Sequence, residues 1–209
     1  HSRSLAVAQG LPSEKLSQQI EEIRKLNTRW NDFTLLAGTE CDIKSDGTLD
    51  YPDELLAQLD FVVASLHVGA KPDIESNTQR VLAAIRNPYV NVIGHPTGRL
   101  IGGLLGVRAP FPIDMDAVIA EAVKTGTALE INSSWQRLDL KDIHARAAVQ
   151  KGAMLCINTD SHRVESLAQV GMGVQVARRA WATPENVLNT RGLDAIREFR
   201  KKKIQLLGG

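Results

Sequence analysis

The stretches GTALEIN at residues 126–132 and GAMLCIN at residues 152–158 share one design: a glycine, a short apolar run and a final asparagine. Each follows a segment of helical character, at residues 114–124 and 139–150, so each glycine is placed to end a helix and each apolar run to form a strand. Helices that alternate with short apolar strands are typical of βα units in a parallel sheet. The two stretches therefore predict an α/β fold.

Three earlier apolar runs extend this repeat towards the amino terminus. TLLAGTE ends at Glu40, FVVASLH at His67 and VNVIGH at His95. With Asn132 and Asp160 closing the last two runs, the intervals between the ends are 27, 28, 37 and 28 residues. A strand with its returning helix needs roughly 30 residues. Five strands of one repeating architecture are therefore visible.

The interval of 37 residues contains an apolar loop with several glycines at residues 98–112. Long loops on the active face of a barrel are often lids. An insertion that simply packs on the domain explains the same sequence equally well.

Composition excludes several classes of protein. The 209 residues are 43% hydrophobic and only 4% aromatic, which suits an aliphatic core in one domain over residues 1–209. The net charge of +1 gives no overall electrostatic case for nucleic-acid binding, and the basic run at residues 197–203 predicts a solvated helix face. Because no spanning apolar stretch or signal peptide is visible, and Cys41 and Cys156 lie in apolar runs, we expect free thiols in a cytoplasmic protein that meets no membrane.

The residues at the ends of the apolar runs have the chemistry of a metal site. The candidate ligands are Glu40, His67, His95, Asp160 and His162. In a (β/α) barrel, side chains at the carboxyl ends of parallel strands meet at one rim. A mixture of imidazoles and carboxylates suits zinc, manganese or iron, and argues against a calcium or magnesium site built from oxygen alone. Glu40, as a carboxylate, could bridge two ions.

Basic residues near the same strand ends are candidates for phosphate binding. Lys71 follows His67, Arg99 follows His95 and Arg137 follows the GTALEIN run. Guanidinium groups match phosphate oxygens bidentately, although each of the three could equally be a surface charge. Glu130 is expected to support the site and not to ligate. Nothing resembles a nucleophile elbow, a P-loop or a dinucleotide fingerprint.

Several segments taken together resemble one known family. They are HSRSLAVAQGL, LAGTECDIKSDGTLDYPDELLAQLDFVVASLH, NPYVNVIGHPTGRL, ALEINSSWQRLDL, INTDSH and ARRAWATPENVLNT. They are similar to the polymerase and histidinol phosphatase (PHP) domain at the carboxyl terminus of bacterial family X DNA polymerases. The similarity runs from residue 2 to about residue 200, and the segments at residues 4–11, 49–65 and 177–190 are what point to the polymerase branch.

The resemblance implies a fold and a ligand set. The fold is a distorted (β/α)7 TIM-like barrel with a cluster of two to three divalent metal ions, Mn²⁺ or Zn²⁺. Carried over position by position, the metal ligands are His1, Glu40, His67, His95, Asp160 and His162. Glu40 and Asp160 are then the catalytic carboxylates, and Glu40 is the bridging ligand.

The resemblance also implies an activity, namely metal-dependent 3′–5′ exonuclease action or other DNA end processing in DNA repair. DNA is then reached through a longer protein whose polymerase domain lies upstream in the same chain. The family's first strand carries a His-x-His pair that this sequence lacks, so we expect the first strands to precede His1, and the activity of these residues alone stays open. The alternatives are a free-standing phosphatase of a small phosphomonoester such as histidinol phosphate, and a non-catalytic structural PHP domain.

Overall fold

Strands and helices alternate along most of the chain. The computed structural model describes residues 1–3, 10–67, 69–103 and 106–208; residues 4–9 of the first resemblance segment and positions 104 and 105 of the 98–112 loop lie outside this range. The strands are β1 (Gly38–Asp42), β2 (Phe61–Ser65), β3 (Val92–Gly94), β4 (Leu100–Ile101), β5 (Val107–Arg108), β6 (Ala128–Asn132) and β7 (Leu155–Asn158). The α-helices are α1 (Ser13–Asn27), α2 (Asp53–Leu56), α3 (Ile74–Arg86), α4 (Met115–Thr125), α5 (Asp142–Lys151), α6 (Val170–Arg179) and α7 (Leu193–Leu207). Short 3₁₀ helices cover Val164–Gln169, Pro184–Asn186 and Leu188–Thr190.

Five of the strands form one parallel sheet in the order β1-β2-β3-β6-β7. Each neighbouring pair runs in the same direction, so all five carboxyl ends lie on one side of the fold. Strands β4 and β5 form a separate antiparallel hairpin within the 98–112 loop. The predicted α/β class with a mainly parallel sheet is confirmed.

The sheet is open in the part of the chain that the structure describes. Strands β1 and β7 lie at its two edges, and no described pairing joins them. A barrel closes only when its first and last strands also pair, which removes both edges. The described strands therefore do not form the closed seven-stranded barrel, which stays a prediction.

The strands could be predicted from the sequence because they are buried and therefore apolar. All five residues of β6 are buried, as expected for a parallel strand covered on both faces. The two glycines of the opening motifs end α4 and α5 as predicted, Gly126 with φ 69° and Gly152 with φ 82°. Glycine adopts this left-handed conformation without the steric cost of a Cβ atom.

Helix α5 begins three residues later than predicted. It starts at Asp142, whereas the sequence suggested Asp139. Asp139 instead forms a β-bridge with Asn132, and its buried carboxylate accepts the backbone N–H of Thr97 at 3.0 Å. This tertiary contact holds Asp139 outside the helix.

Helix α7 is not wholly the solvated face that its basic composition predicted. Lys201 and Lys202 are exposed, but Lys203 is only 1% exposed. The Lys203 ammonium donates to Thr127 Oγ1 at 2.6 Å and to the carbonyl of Val90. These two residues precede β6 and β3, so Lys203 fastens α7 beneath the amino ends of those strands.

Two further expectations from composition can be compared with the structure. Cys41 and Cys156 are free and buried, as predicted. Among the described residues, no helix combines the length and the hydropathy required to cross a membrane.

Candidate metal centre

Glu40 lies at the centre of a polar cluster where three neighbouring strands end. It is the third residue of β1, while His67 and His95 follow β2 and β3. Glu40 Oε1 is 3.2 Å from His67 Nε2 and 3.0 Å from His95 Nε2. The rings of His67 and His95 have their centroids 4.9 Å apart. The structure thus brings together three candidate ligands that are up to 55 residues apart in the chain.

His1 reaches this cluster along the outer edge of β1. The backbone N–H of Ser2 donates to the carbonyl of Glu40 at 3.1 Å, and the Ser2 hydroxyl accepts the N–H of Asp42 at 2.8 Å. His1 Nδ1 consequently lies 3.1 Å from Glu40 Oε2. One potential ligand atom from each of His1, Glu40 and His67 lies within 4.8 Å of the others. A set this compact can share one metal ion.

Asp160 and His162 lie on the same side of the sheet, after β7. The His162 ring stacks on that of His1, with centroids 5.7 Å apart and planes inclined by 21°. Asp160 Oδ2 accepts the Asn132 Nδ2–H at 3.1 Å, and Asp160 Oδ1 is 3.7 Å from His162 Nδ1. All six candidate ligands therefore lie at the carboxyl ends of the strands, although their role as ligands stays a prediction.

Two of the candidate ligands have an unusual backbone conformation. His95 has φ 26° and Asp160 has φ 53°, values that residues other than glycine rarely adopt. Such conformations cost free energy and persist where the surroundings impose them, often at functional sites.

Glu130 is a buried carboxylate behind the cluster, and only 4% of it is exposed. Its Oε2 accepts the backbone N–H of His95 at 2.6 Å and Asn132 Nδ2–H at 3.2 Å, while its Oε1 accepts Asn158 Nδ2–H at 2.7 Å. Burial raises the pKa of Glu130 to about 7, although the charge of His95 and the hydrogen bonds act in the opposite direction. Glu130 thereby connects the ends of β3, β6 and β7 from a supporting position.

Asp42 is a candidate that the sequence analysis missed. Its carboxylate is hydrogen-bonded to His67 Nδ1, which leaves His67 Nε2 directed at Glu40. A carboxylate on the far nitrogen fixes the tautomer and orientation of metal-binding histidines. The spacing Glu-x-Asp in one strand was an available signal, because residues two apart share a face.

Glu40 and His67 each favour the charged form of the other. Burial pushes the pKa of Glu40 upwards, but His67 and His95 outweigh this effect and hold it far below its usual range. Burial lowers the pKa of His67, but Asp42 and Glu40 outweigh it and raise the value to about 9. A divalent cation competes with the His67 proton, since a ligating imidazole must be neutral.

The three basic candidates have different surroundings. Arg137 is 9% exposed, its Nε is 3.4 Å from Asp160 Oδ2, and its Nη1 has no hydrogen-bond partner within the described part of the chain. Arg99 donates from Nε to the carbonyl of Arg137 at 2.8 Å and from Nη2 to that of Leu138. Arg99 therefore stabilises the backbone at Arg137 and Leu138. Lys71 is exposed on the loop after β2.

The donor set fits a divalent transition metal. His1 Nδ1 is buried and lacks a hydrogen-bond partner among the described residues, because its approach to Glu40 does not have hydrogen-bond geometry. An unpaired imidazole nitrogen beside a carboxylate and a second imidazole is the donor chemistry of zinc and manganese sites. The residues present are therefore suited to a metal ion of the kind that the resemblance implies.

Comparison with known proteins identifies two kinds of relative, although no family model matches the chain. The chain is 45% identical over 202 residues to the DNA polymerase/3′-5′ exonuclease PolX of Bacillus subtilis, which is 97% of this chain but 35% of that protein. It is 34% identical over 185 residues to a probable phosphatase of Thermoanaerobacter sp. (strain X514), covering 84% of this chain and 71% of the relative. A probable phosphatase of Clostridium acetobutylicum is 37% identical over 150 residues, covering 67% of this chain and 57% of the relative.

The fold, the cluster at the strand ends and these relatives agree on one class of protein. The chain belongs to the PHP family, and it is similar over nearly its whole length to a region of a bacterial family X polymerase. The resemblance inferred from the sequence segments is confirmed.

Proposed function

We propose that this chain is a metal-dependent phosphodiesterase module that processes DNA 3′ ends during repair, within a longer family X DNA polymerase. The observation that carries the proposal is the cluster of His1, Glu40 and His67, whose ligand atoms lie within 4.8 Å of one another at the strand ends. The relative that is 45% identical carries the name DNA polymerase/3′-5′ exonuclease. Together they favour hydrolysis of phosphodiester bonds at this cluster.

The proposed metal ligands are two groups of side chains on the same side of the sheet. The residues are His1, Glu40, His67, His95, Asp160 and His162, with Glu40 in the bridging position. Two to three Mn²⁺ or Zn²⁺ ions bound there would lower the pKa of a coordinated water to ~7 and polarise a phosphoryl oxygen. Asp42 and Glu130 hold His67 and His95 in orientation for this task.

Arg137 is the proposed ligand of the scissile phosphate. Its Nε lies beside Asp160, and its buried Nη1 is without a partner among the described residues. A guanidinium group in this state can bind phosphate bidentately and gains the hydrogen bond it lacks. Arg99 keeps this group in position by holding the carbonyl of Arg137, and Lys71 adds positive charge on the same side of the sheet.

The test is a nuclease assay on the intact protein that carries this chain. His67→Ala and Asp160→Ala should abolish 3′–5′ exonuclease activity while polymerase activity is kept, because both side chains belong to the cluster and not to the polymerase domain. His144→Ala is the matched control, since His144 lies on α5 outside the cluster. Exonuclease activity that is unchanged in both cluster variants would overturn the assignment.

We also propose that further strands of a longer chain complete the sheet as a distorted barrel. Within the described residues, no further strand pairs with the outer edge of β1 or of β7, although Ser2 and Val187 make isolated contacts there. Between these edges lies a cavity of about 450 Å³ lined by Glu40, Val63, Cys156 and Leu188 among others. Uncovered edges invite pairing with another strand. Amide hydrogen exchange should be slower at Gly38 and Glu40, which face away from β2, in the longer protein than in residues 1–209 alone; equal rates would contradict this.

A second candidate function is hydrolysis of a small phosphomonoester. It is favoured by the probable phosphatase that is 34% identical and of which the chain covers 71%. The same ligand cluster can serve either substrate, because both reactions need a polarised phosphoryl group and an activated water. The ratio of kcat/KM for a single-stranded oligonucleotide to that for histidinol phosphate separates the two candidates.

A further inference from the structure

We propose that Trp135 is a stacking platform for the base of the nucleotide at the cleaved end. This inference rests on the proposed phosphodiesterase function and assigns to it a residue that binds the base of the substrate.

Trp135 and the proposed phosphate ligand lie in one turn. The backbone N–H of Arg137 donates to the carbonyl of Ser134 at 2.8 Å, which makes residues 134–137 a turn whose end Cα atoms are within about 7 Å. Trp135 is the second residue of this turn, and Arg137 is the last. The Arg137 side chain extends to Asp160 at 3.4 Å, so the turn connects Trp135 directly to the metal-ligand cluster.

The indole is exposed but supported. Trp135 is 47% exposed, and its backbone N–H donates to Gln169 Oε1 at 3.2 Å. The indole lies beside Gly102, where an added Cβ would be 3.9 Å from Cζ3, an ordinary van der Waals distance. The preceding residue, Ile101, is 48% exposed and is held by a hydrogen bond from its N–H to the carbonyl of Gln136 at 2.8 Å. Trp135 and Ile101 are therefore exposed apolar residues on two neighbouring, hydrogen-bonded segments beside a charged site, and we call them the shelf.

A nucleotide matches this combination of groups. It joins an anionic phosphate to a flat aromatic base through one sugar. The shelf lies one turn away from Arg137, whose Nη1 has no hydrogen-bond partner among the described residues. Stacking of a base on an aromatic side chain is favourable for every base and therefore tolerates any sequence. In a duplex the faces of a base are already stacked, so the shelf favours an unpaired end.

The low net charge also favours base stacking as a source of affinity for a nucleic-acid end. Its net charge is +1, whereas non-specific binding of nucleic acid depends on neutralising phosphates with many cations. A stacked base adds affinity at the reacting end without further charge.

Trp181 provides a matched comparison. It is more exposed than Trp135, at 72%, but its ring is covered by the Arg146 guanidinium at 4.5 Å. It follows α6, whereas Trp135 is held by Gln169 just before that helix begins. A role at the strand carboxyl ends is therefore expected for Trp135 and not for Trp181.

The experiment compares two single-stranded oligonucleotides with the intact protein: one ends in a normal nucleotide, and the other ends in a tetrahydrofuran abasic residue. We expect the normal end to be cleaved with a kcat/KM higher by roughly 5- to 150-fold, the effect of stacking one base. Trp135→Ala should remove this preference by raising KM for the normal end, while leaving the abasic substrate unchanged. Trp135→Phe and Trp181→Ala should both keep most of the preference.

Failure of this inference and failure of the proposed function give different results. If Trp135→Ala cleaves DNA and keeps the wild-type preference, the stacking role is wrong and the phosphodiesterase function stands. If the wild-type protein cleaves neither oligonucleotide with Mn²⁺ or Zn²⁺, the proposed function fails. A binding measurement is independent of turnover: a short thymidine oligonucleotide should quench tryptophan fluorescence less in Trp135→Phe than in Trp181→Phe, and equal quenching would overturn the inference.

Discussion

The carboxylate of Glu130 accepts the backbone N–H of His95 at 2.6 Å. His95 has φ 26°, a conformation that needs support from its surroundings. The same carboxylate accepts hydrogen bonds from Asn132 and Asn158, and Asn132 also donates to Asp160. One buried acid thus positions the ends of three strands that carry or adjoin candidate ligands.

Replacing Glu130 by glutamine should weaken metal binding. An amide NH₂ would then face either the N–H of His95 or the NH₂ of Asn158, and one donor would lose its acceptor. We expect affinity for Zn²⁺ to fall by about 10- to 100-fold, as is typical when groups that orient metal ligands are changed. Competition with a chelator measures this. Glu121→Gln is the control, because Glu121 pairs with Arg86 on the surface; equal affinities in Glu130→Gln and wild type would contradict the role.

Replacing Asp42 by asparagine should lower the pKa of His67. Asp42 and Glu40 raise that pKa from 6.5 to about 9 against the effect of burial, and an amide removes one of the two negative charges. We expect the pKa, followed by imidazole NMR signals in chelator-treated protein, to move towards 6.5. Asp46→Asn is the control, since the Asp46 carboxylate is bonded to Thr48 on an exposed loop. An unchanged His67 pKa in Asp42→Asn would show that the contact is unimportant.

Lys203 should make stability depend on pH. Burial lowers the pKa of Lys203 from 10.5 to about 7. Between these values the unfolded chain binds more protons than the folded chain, so the free energy of unfolding rises with pH, by at most about 1.4 kcal/mol per pH unit from this group. Below pH ~7 both states carry the proton, and the contribution becomes constant.

Lys203→Met should therefore flatten the rise in unfolding free energy between neutral and alkaline pH, as measured by denaturant titration. Lys202→Met is the control because Lys202 is exposed, and it should keep the wild-type slope. An identical slope in wild type and Lys203→Met would mean that Lys203 titrates as an ordinary surface lysine.

Two glycine substitutions should change the free energy of unfolding in opposite directions. Gly126 has φ 69° at the end of α4, so Gly126→Ala should lower the free energy of unfolding by about 1 kcal/mol through backbone strain. Gly171 lies within α6 with open space around its Cα, so Gly171→Ala should raise it by up to ~1 kcal/mol. Thermal unfolding measures both; destabilisation of equal size in both variants would contradict the explanation.

The sequence was most informative where local pattern and burial agree. The parallel strands are short apolar runs, and the glycines that end α4 and α5 are needed at positive φ, so both could be predicted without tertiary contacts. The proximity of Glu40, His67 and His95 was predictable because parallel strands bring their carboxyl ends together.

The remainder depends on contacts that a linear reading does not contain. The sequence predicted that Asp139 begins a helix. It could not show the hydrogen bond from the distant Thr97 N–H that holds Asp139 outside the helix. Lys203 was placed on a solvated face because its acceptors, Val90 and Thr127, belong to distant loops. The described hydrogen bonds of Arg99 to backbone carbonyls were likewise not visible in the sequence, and its predicted role in phosphate binding stays a prediction.

The central claim is that the cluster around Glu40 binds divalent cations, and metal analysis of the purified protein tests it most directly. The account predicts at least one zinc or manganese ion per chain in the wild-type protein, the same content in His144→Ala and a clear loss in Glu40→Gln. A wild-type protein with much less than one ion per chain after incubation with Zn²⁺ and Mn²⁺, or a Glu40→Gln variant that binds as much as wild type, would contradict it.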